Sequence, residues 1–277
     1  MALVRCEGIV LKTHALGDTS LIVVVYTREH GLLRLVAKAA RRTPSRFGFA
    51  LEPLSRSRFV VYHKPDRDLQ LVSQAEVLDP IGSRLSDLSR LAHAQAALEL
   101  IDRLVWGEEP HADLFDLLGA ALIGIASMPP ATLPAVTLAY QLQVASLLGY
   151  RPRLDGCPGC GSPISPRRLF SAVRGGLLCD RCAATEAGTI TLSADALGGL
   201  ALLLSRPVNQ AGEWLGLGEV RRTGEILRVV EAFLRQHFQR FHGLRSLEVL
   251  RSLPGFDSSQ SGAPNGTPAQ KDAPCPN

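Results

Sequence analysis

19-TSLIVVVYTREHGLLRLVAKAARRTPSRFG-48 holds two runs rich in Val, Ile, Leu and Tyr, residues 19–27 and 31–39, cut by His30-Gly31 and followed by an arginine-dense loop. Branched and aromatic side chains suit a pleated surface, and a Gly-containing break between two such runs marks a β-hairpin. Working outward, residues 3–13, 54–63 and 68–78 repeat the pattern between breaks at Gly17-Asp18, Arg42-Thr43-Pro44 and Lys64-Pro65-Asp66. Five short strands in about eighty residues predict a small barrel, and the five-stranded oligonucleotide-binding (OB) type is the common one that pairs with a basic face.

Beyond Gly82 the apolar period lengthens to three and four. Leu85, Leu88, Leu91, Leu98, Ile101 and Leu104 predict a helix capped by Ser83. Further helices are expected after Pro110, over 134–148, over 193–205 and over 219–240, where Val220, Leu227, Val230, Phe233, Leu234, Phe238 and Phe241 share a face. The fold class is therefore α+β. Residues 1–80 are read as the barrel, 81–152 with 189–253 as a helical domain, 153–188 as an inserted cysteine element, and 254–277, rich in Gly, Pro, Ser and Asn, as a disordered tail.

Leu117 to Tyr150 contains 34 residues without Asp, Glu, Lys or Arg. Pro129-Pro130 and Pro134 divide it into pieces shorter than the ~20 apolar residues of a membrane span, so it reads as buried helices. The rim of that hairpin is a candidate groove for an apolar peptide end. Met1 leads straight into a strand with Arg5, Glu7 and Lys12 and no signal segment, which predicts a cytoplasmic protein.

Four of the six cysteines form two Cys-x-x-Cys pairs, Cys157/Cys160 and Cys179/Cys182, while Cys6 and Cys275 stand alone. Two such knuckles separated by a short hairpin bring four thiolates to one tetrahedral centre, and the spacing is that of zinc sites. Four sulfurs fill the coordination sphere and leave no place for water or substrate, so the expected Zn2+ is structural. Arg167, Arg168, Arg174 and Arg181 are near enough in sequence to balance the thiolate charge.

The net charge of +4 is uneven: residues 1–80 carry twelve Lys/Arg against eight Asp/Glu, and the remaining chain carries eighteen of each. A basic concentration of this kind predicts a polyanionic partner. Phosphate-binding loops, dinucleotide fingerprints, nucleophile elbows and His-Glu-x-x-His pairs are all missing from the sequence, so no catalytic residues are assigned. Instead Arg34, Lys38, Arg41, Arg42 and Arg46 are the candidate phosphate contacts. Phe47 and Phe49 beside them are candidates for base stacking, with barrel core as the competing reading.

The chain resembles the RecO family of bacterial recombination mediators and DNA repair proteins. Cys6-Glu7-Gly8-Ile9-Val10-Leu11, Thr27-Arg28-Glu29-His30-Gly31, Ala37-Lys38-Ala39-Ala40-Arg41-Arg42, Ser45-Arg46-Phe47-Gly48 and Leu51-Glu52-Pro53 follow the family pattern in order. So do Leu147-Leu148-Gly149-Tyr150-Arg151-Pro152 ahead of Cys157 and Gly175-Gly176-Leu177-Leu178-Cys179. The resemblance implies binding of single- and double-stranded DNA, annealing of complementary strands, and loading of RecA onto DNA coated with single-stranded DNA-binding protein (SSB), together with RecR. It places DNA contacts at Lys38, Arg41, Arg42 and Arg46. Ala39 departs from the pattern, which would have glycine there. The competing reading is a non-catalytic zinc-containing adaptor acting mainly through protein contacts.

Overall fold

The computed structural model of the protein describes residues 2–42, 44–214 and 220–253. Five strands, β1 (Ala2–Leu16), β2 (Ser20–Thr27), β3 (Gly31–Ala37), β4 (Ser55–His63) and β5 (Gln70–Pro80), close into a barrel in the order β1-β2-β3-β5-β4. β1 pairs antiparallel with both β2 and β4, and β4 with β5. Closure is slightest at β3 and β5, which run parallel and share only Leu35 with Gln70 and Val36 with Leu71.

β2 does not alternate in sequence because both of its faces are buried. Val23 and Val25 point into the barrel with Val10, Leu33, Leu35 and Phe59, whereas Val24 and Tyr26 join Ile9 and Leu11 in the core of the helical part. A strand covered on both sides reads as a continuous apolar run. β3 alternates: Leu33, Leu35 and Ala37 are buried, and Arg34 is exposed between them.

The expected cap of the first helix is corrected by one turn. Ser83 lies in a 3-10 turn, Ile81–Arg84, and donates its hydroxyl to the Pro80 carbonyl at 2.7 Å. Asp87 is the N-cap of α1 (Leu88–Leu104), its carboxylate accepting the Arg90 amide at 2.8 Å. Leu85 consequently falls outside the helix. α2 (Ala112–Ser127) and α3 (Leu133–Leu147) follow, and nearly every side chain from Leu133 to Ala145 is buried, which is why that segment carries no charge.

β6 (Leu169–Ser171), β7 (Gly176–Leu177) and β8 (Ile190–Thr191) form a small sheet, order β7-β6-β8, with the one-turn α4 (Asp180–Ala183) between its strands. α5 (Ala194–Ser205), α6 (Ala211–Trp214), α7 (Val220–His237) and α8 (Arg245–Ser252) complete the chain. α7 ends three residues earlier than the periodicity suggests, and its buried face runs through Ile226, Val229, Val230, Phe233 and Leu234. α8 has no counterpart in the sequence reading. Residues 254–277, expected as a tail and including Cys275, lie outside the described residues. No helix among the described residues is long and apolar enough to cross a membrane.

Barrel and helices meet along a charged and aromatic seam. Lys12 pairs with Asp102 at 2.6 Å, Arg28 forks onto Asp116, and His63 Nε2 lies 2.7 Å from Glu108 while its ring stacks on His30. Arg28 and Arg56 both sit over the Phe115 ring, which also approaches Tyr26. The Leu32 amide donates to the Gly107 carbonyl at 3.0 Å, seating the loop between α1 and α2 on the β2-β3 turn.

Candidate nucleic-acid interface and metal centre

Among the basic residues of the barrel two groups stand apart. Arg28, Arg56 and Arg58 are neutralised by Asp116, Glu7 and Glu76. Arg34, Lys38, Arg41, Arg42 and Arg46 are all exposed and have no carboxylate partner among the described residues. Fixing cations in water without acidic neighbours raises the local potential, which is the electrostatic condition for holding phosphates.

The loop that carries Lys38, Arg41, Arg42 and Arg46 is anchored at Arg41. Arg41 donates its amide to the Thr19 carbonyl at 2.9 Å and its guanidinium to the Gly17 carbonyl at 3.2 Å, tying it to the β1-β2 turn. The Arg42 amide closes onto the Ala39 carbonyl at 3.2 Å. Ala39 has φ +58°, the left-handed conformation that glycine adopts without steric cost. The turn expected from a glycine is thus kept by an alanine, under strain.

The two phenylalanines part company. Phe47 is 5% exposed and packs in the barrel core with Leu51 and Ala37, and the Arg46 guanidinium lies over its ring at 4.5 Å. Its face is covered, so it is removed from the stacking candidates; the barrel end needs a bulky plug, and the 3-10 turn Gly48–Leu51 supplies the rest of it. Phe49 is 69% exposed and keeps its face open to water.

The sequence reading missed a second feature of this face. Around the β3-β5 contact a concavity of about 210 Å³ is lined by Val36, Lys38, Tyr62, Lys64, Arg67 and Leu69 with parts of β5. Lys64 and Arg67 contribute to the charge excess but fall in what reads as an ordinary turn. Tyr62 is the outward member of the alternation in β4, a signal that is present in the sequence but points to this site only once β3 and β5 are known to pair.

The cysteines converge as the spacing predicts. The sulfurs of Cys157, Cys160, Cys179 and Cys182 lie within 4.8 Å of one another. Cys160 and Cys179 are 3.5 Å apart and Cys160 and Cys182 3.7 Å apart. Sulfurs ~2.3 Å from a tetrahedral ion are separated by about 3.8 Å, so the donor set fits a metal ion, and four thiolates are compatible with zinc. Cys157 and Cys179 are buried with Leu178 in a small cluster of their own, and Cys179 also caps α4. Phe170 and Leu177 instead root the sheet in the main core, where Phe170 meets Phe233 edge to face.

The nearby arginines do not all serve the sulfurs. Arg167 pairs with Asp180 at 3.1 Å, Arg174 with Glu186 at 2.8 Å, and Arg168 donates to the Leu192 carbonyl. Arg181 is the one held mainly by thiol groups, with the Cys160 hydrogen bond first among the contacts that push its pKa up.

Two family models cover the chain, Recombination protein O N terminal over residues 1–81 and Recombination protein O C terminal over residues 85–248. Similar proteins include the DNA repair protein RecO of Streptomyces griseus, 36% identical over 259 residues that span 90% of this chain and 99% of that one. The DNA repair protein RecO of Anaeromyxobacter dehalogenans is 36% identical over 263 residues, 91% of this chain and 98% of its own. That of Symbiobacterium thermophilum is 32% identical over 256 residues, with coverage of 91% and 98%.

Proposed function

The chain belongs to the RecO family of DNA repair and recombination proteins, and from that premise we propose that it is a non-catalytic, cytoplasmic, nucleoid-associated mediator that binds single- and double-stranded DNA on its barrel. It anneals complementary strands and, with RecR, assists RecA in replacing SSB on single strands. The observation that carries this reading is the exposed set Arg34, Lys38, Arg41, Arg42 and Arg46, fixed on one loop and one strand without carboxylate partners among the described residues.

Annealing follows from charge alone. Cations on the barrel contact phosphates of two strands, screen their repulsion and leave the base edges free to pair, so no covalent step or nucleotide hydrolysis is required. Phe49 is the remaining stacking candidate beside this set. Cys157, Cys160, Cys179 and Cys182 hold a structural Zn2+ that closes the tip of the 153–188 element; a filled four-sulfur shell braces a hairpin and leaves no coordination position for substrate. The helical part, 81–152 with 189–253, supports the barrel through the charged seam and is the side left for protein partners.

The test is the triple variant Lys38→Ala/Arg41→Ala/Arg42→Ala in the full chain. Removal of three phosphate contacts should flatten the dependence of log K on log salt by about 2 for single strands and about 3 for duplex, with annealing lost in parallel. Unchanged affinity and slope would remove the barrel from the interface.

A further inference from the structure

The helices cover the outer wall of β1 and β2, burying Ile9, Leu11, Val24 and Tyr26. OB barrels commonly offer the face of strands 2 and 3 with the neighbouring loops to a nucleic acid. Here the β2 part of that face is closed by the helices, and the open wall runs over β3, β5 and β4, where the 210 Å³ concavity lies. It is smaller than the ~300–1,000 Å³ of ordinary small-molecule sites and so has room for one compact group.

Its lining is chemically one-sided. Lys38, Lys64 and Arg67 supply only donors and positive charge, and Tyr62 and Leu69, 38% and 41% exposed, present apolar area to water. The carboxylates of the same turn, Asp66 and Asp68, are not part of the lining. An anion with an attached planar apolar group satisfies both halves of such a surface. Lys38 also belongs to the arginine loop, so a strand held there runs directly into the concavity.

The turn bearing Lys64 and Arg67 is built rather than loose. Gln70 is 1% exposed, and its side-chain oxygen accepts the Lys64 amide at 2.8 Å while its nitrogen donates to the carbonyls of Lys64 and Arg67 at 2.8 and 2.7 Å. A buried amide with those bonds made fixes the turn in advance, which lowers the ordering cost of binding.

We propose that the concavity between β3 and the β4-β5 turn is a single-nucleotide subsite, taking one unpaired base against Tyr62 with adjoining phosphates on Lys38, Lys64 and Arg67. The assignment rests on the barrel being the DNA-binding face and adds a selectivity to it. A duplex keeps its base faces stacked inside and can offer only phosphates, so this subsite favours single strands.

The test uses the full chain with an oligo(dT) and a blunt duplex of equal length, measured by fluorescence anisotropy at fixed salt. Tyr62→Ala should weaken oligo(dT) binding by roughly 5- to 150-fold, the span for loss of one stacked base, and leave duplex affinity within about twofold. The salt slope should not change, because no charge is removed. Tyr62→Trp should retain oligo(dT) affinity and show emission quenched on binding, which also reports a folded site. A Tyr62→Ala protein with an unaltered thermal melt that binds both ligands as the parent does, or weakens on both equally, overturns the subsite. So does one that keeps oligo(dT) but loses a short acidic peptide, which would reassign the concavity to a protein ligand. If the Lys38/Arg41/Arg42 triple variant binds DNA normally, the barrel assignment itself falls; if only Tyr62→Ala is silent, the subsite alone falls.

Discussion

Replacing Gly31 by alanine, with Gly17→Ala as its partner experiment, measures how firmly the barrel is seated on the helices. Both glycines have φ +59°, so a methyl group meets the same left-handed strain in each, roughly 1–2 kcal/mol, lessened by ~0.4–1 kcal/mol from a stiffer unfolded chain. They differ in surroundings. A Cβ at Gly17 has nothing within 4 Å, whereas one at Gly31 would lie 3.0 Å from the Glu109 carbonyl carbon and 3.1 Å from that of Glu108, and closer still to the Glu109 oxygen. All three atoms are backbone, held by the bond from Leu32 to Gly107, and no side chain can rotate away. Forcing apart a packed contact of this kind costs about 1–3 kcal/mol. Gly17→Ala should therefore lose about 0–1.6 kcal/mol and Gly31→Ala about 1–3 kcal/mol more than that in urea unfolding followed by circular dichroism. Protease cleavage within 105–111 should rise for Gly31→Ala alone. Equal losses in the two variants would refute the seating of that loop, because the shared φ strain would then account for everything.

His93 on α1 is buried, with Nδ1 2.7 Å from the Thr137 hydroxyl, and burial chiefly, then the charge of Arg251, lowers its pKa from 6.5 to about 4 against a smaller opposing effect of Asp87. Between those values the unfolded chain binds a proton that the folded chain refuses, so stability is full above pH ~6.5 and falls by about 2–3 kcal/mol as pH drops toward 4. His93→Gln should flatten that difference in urea midpoints taken at pH 7 and 4.5. Ala39→Gly should raise stability by about 0.5 kcal/mol by releasing the φ +58° strain, with DNA affinity within twofold; a loss of stability would mean that the turn is not left-handed. Chelation should release one metal equivalent per chain and raise amide exchange in the tip around Cys157, Leu178 and Cys179, leaving α3 protected, since the tip forms a cluster apart from the main core. Loss of protection throughout α3 would show that the metal supports the whole helical part.

How far the sequence could be read followed how local each signal was. The strands around 19-TSLIVVVYT-27 and the two Cys-x-x-Cys knuckles carry their information within a few residues, so both are plain before any tertiary contact is known. The helix start was harder because Ser83 and Asp87 are both competent caps, and the choice between them depends on where the buried face from Ala92 onward meets its neighbours, a tertiary fact. The basic tract was legible as an excess and as the candidate set Arg34, Lys38, Arg41, Arg42 and Arg46, but the pairing that neutralises Arg28 and Arg56 was not, because their carboxylates lie 88 and 49 residues away. Phe47 and Phe49 sit two residues apart at a strand-free turn, where no period decides which one faces the core. Tyr62, Lys64 and Arg67 become neighbours of Lys38 only through the parallel contact of β3 with β5, which no short window contains.

The strand buried on both faces has a bearing on how this protein can be divided. Together with its neighbour β1 it serves as one wall for two rooms, with Ile9, Leu11, Val24 and Tyr26 facing the helices and Val10, Val23 and Val25 facing the barrel. A fragment ending near residue 80 would turn that wall outward, exposing side chains that each stabilise the folded chain by about 2 kcal/mol when covered. Such a fragment would self-associate through its bare wall before it reported on DNA. The barrel is therefore bound to the helical end by a shared wall, and cutting the chain between them bares that wall.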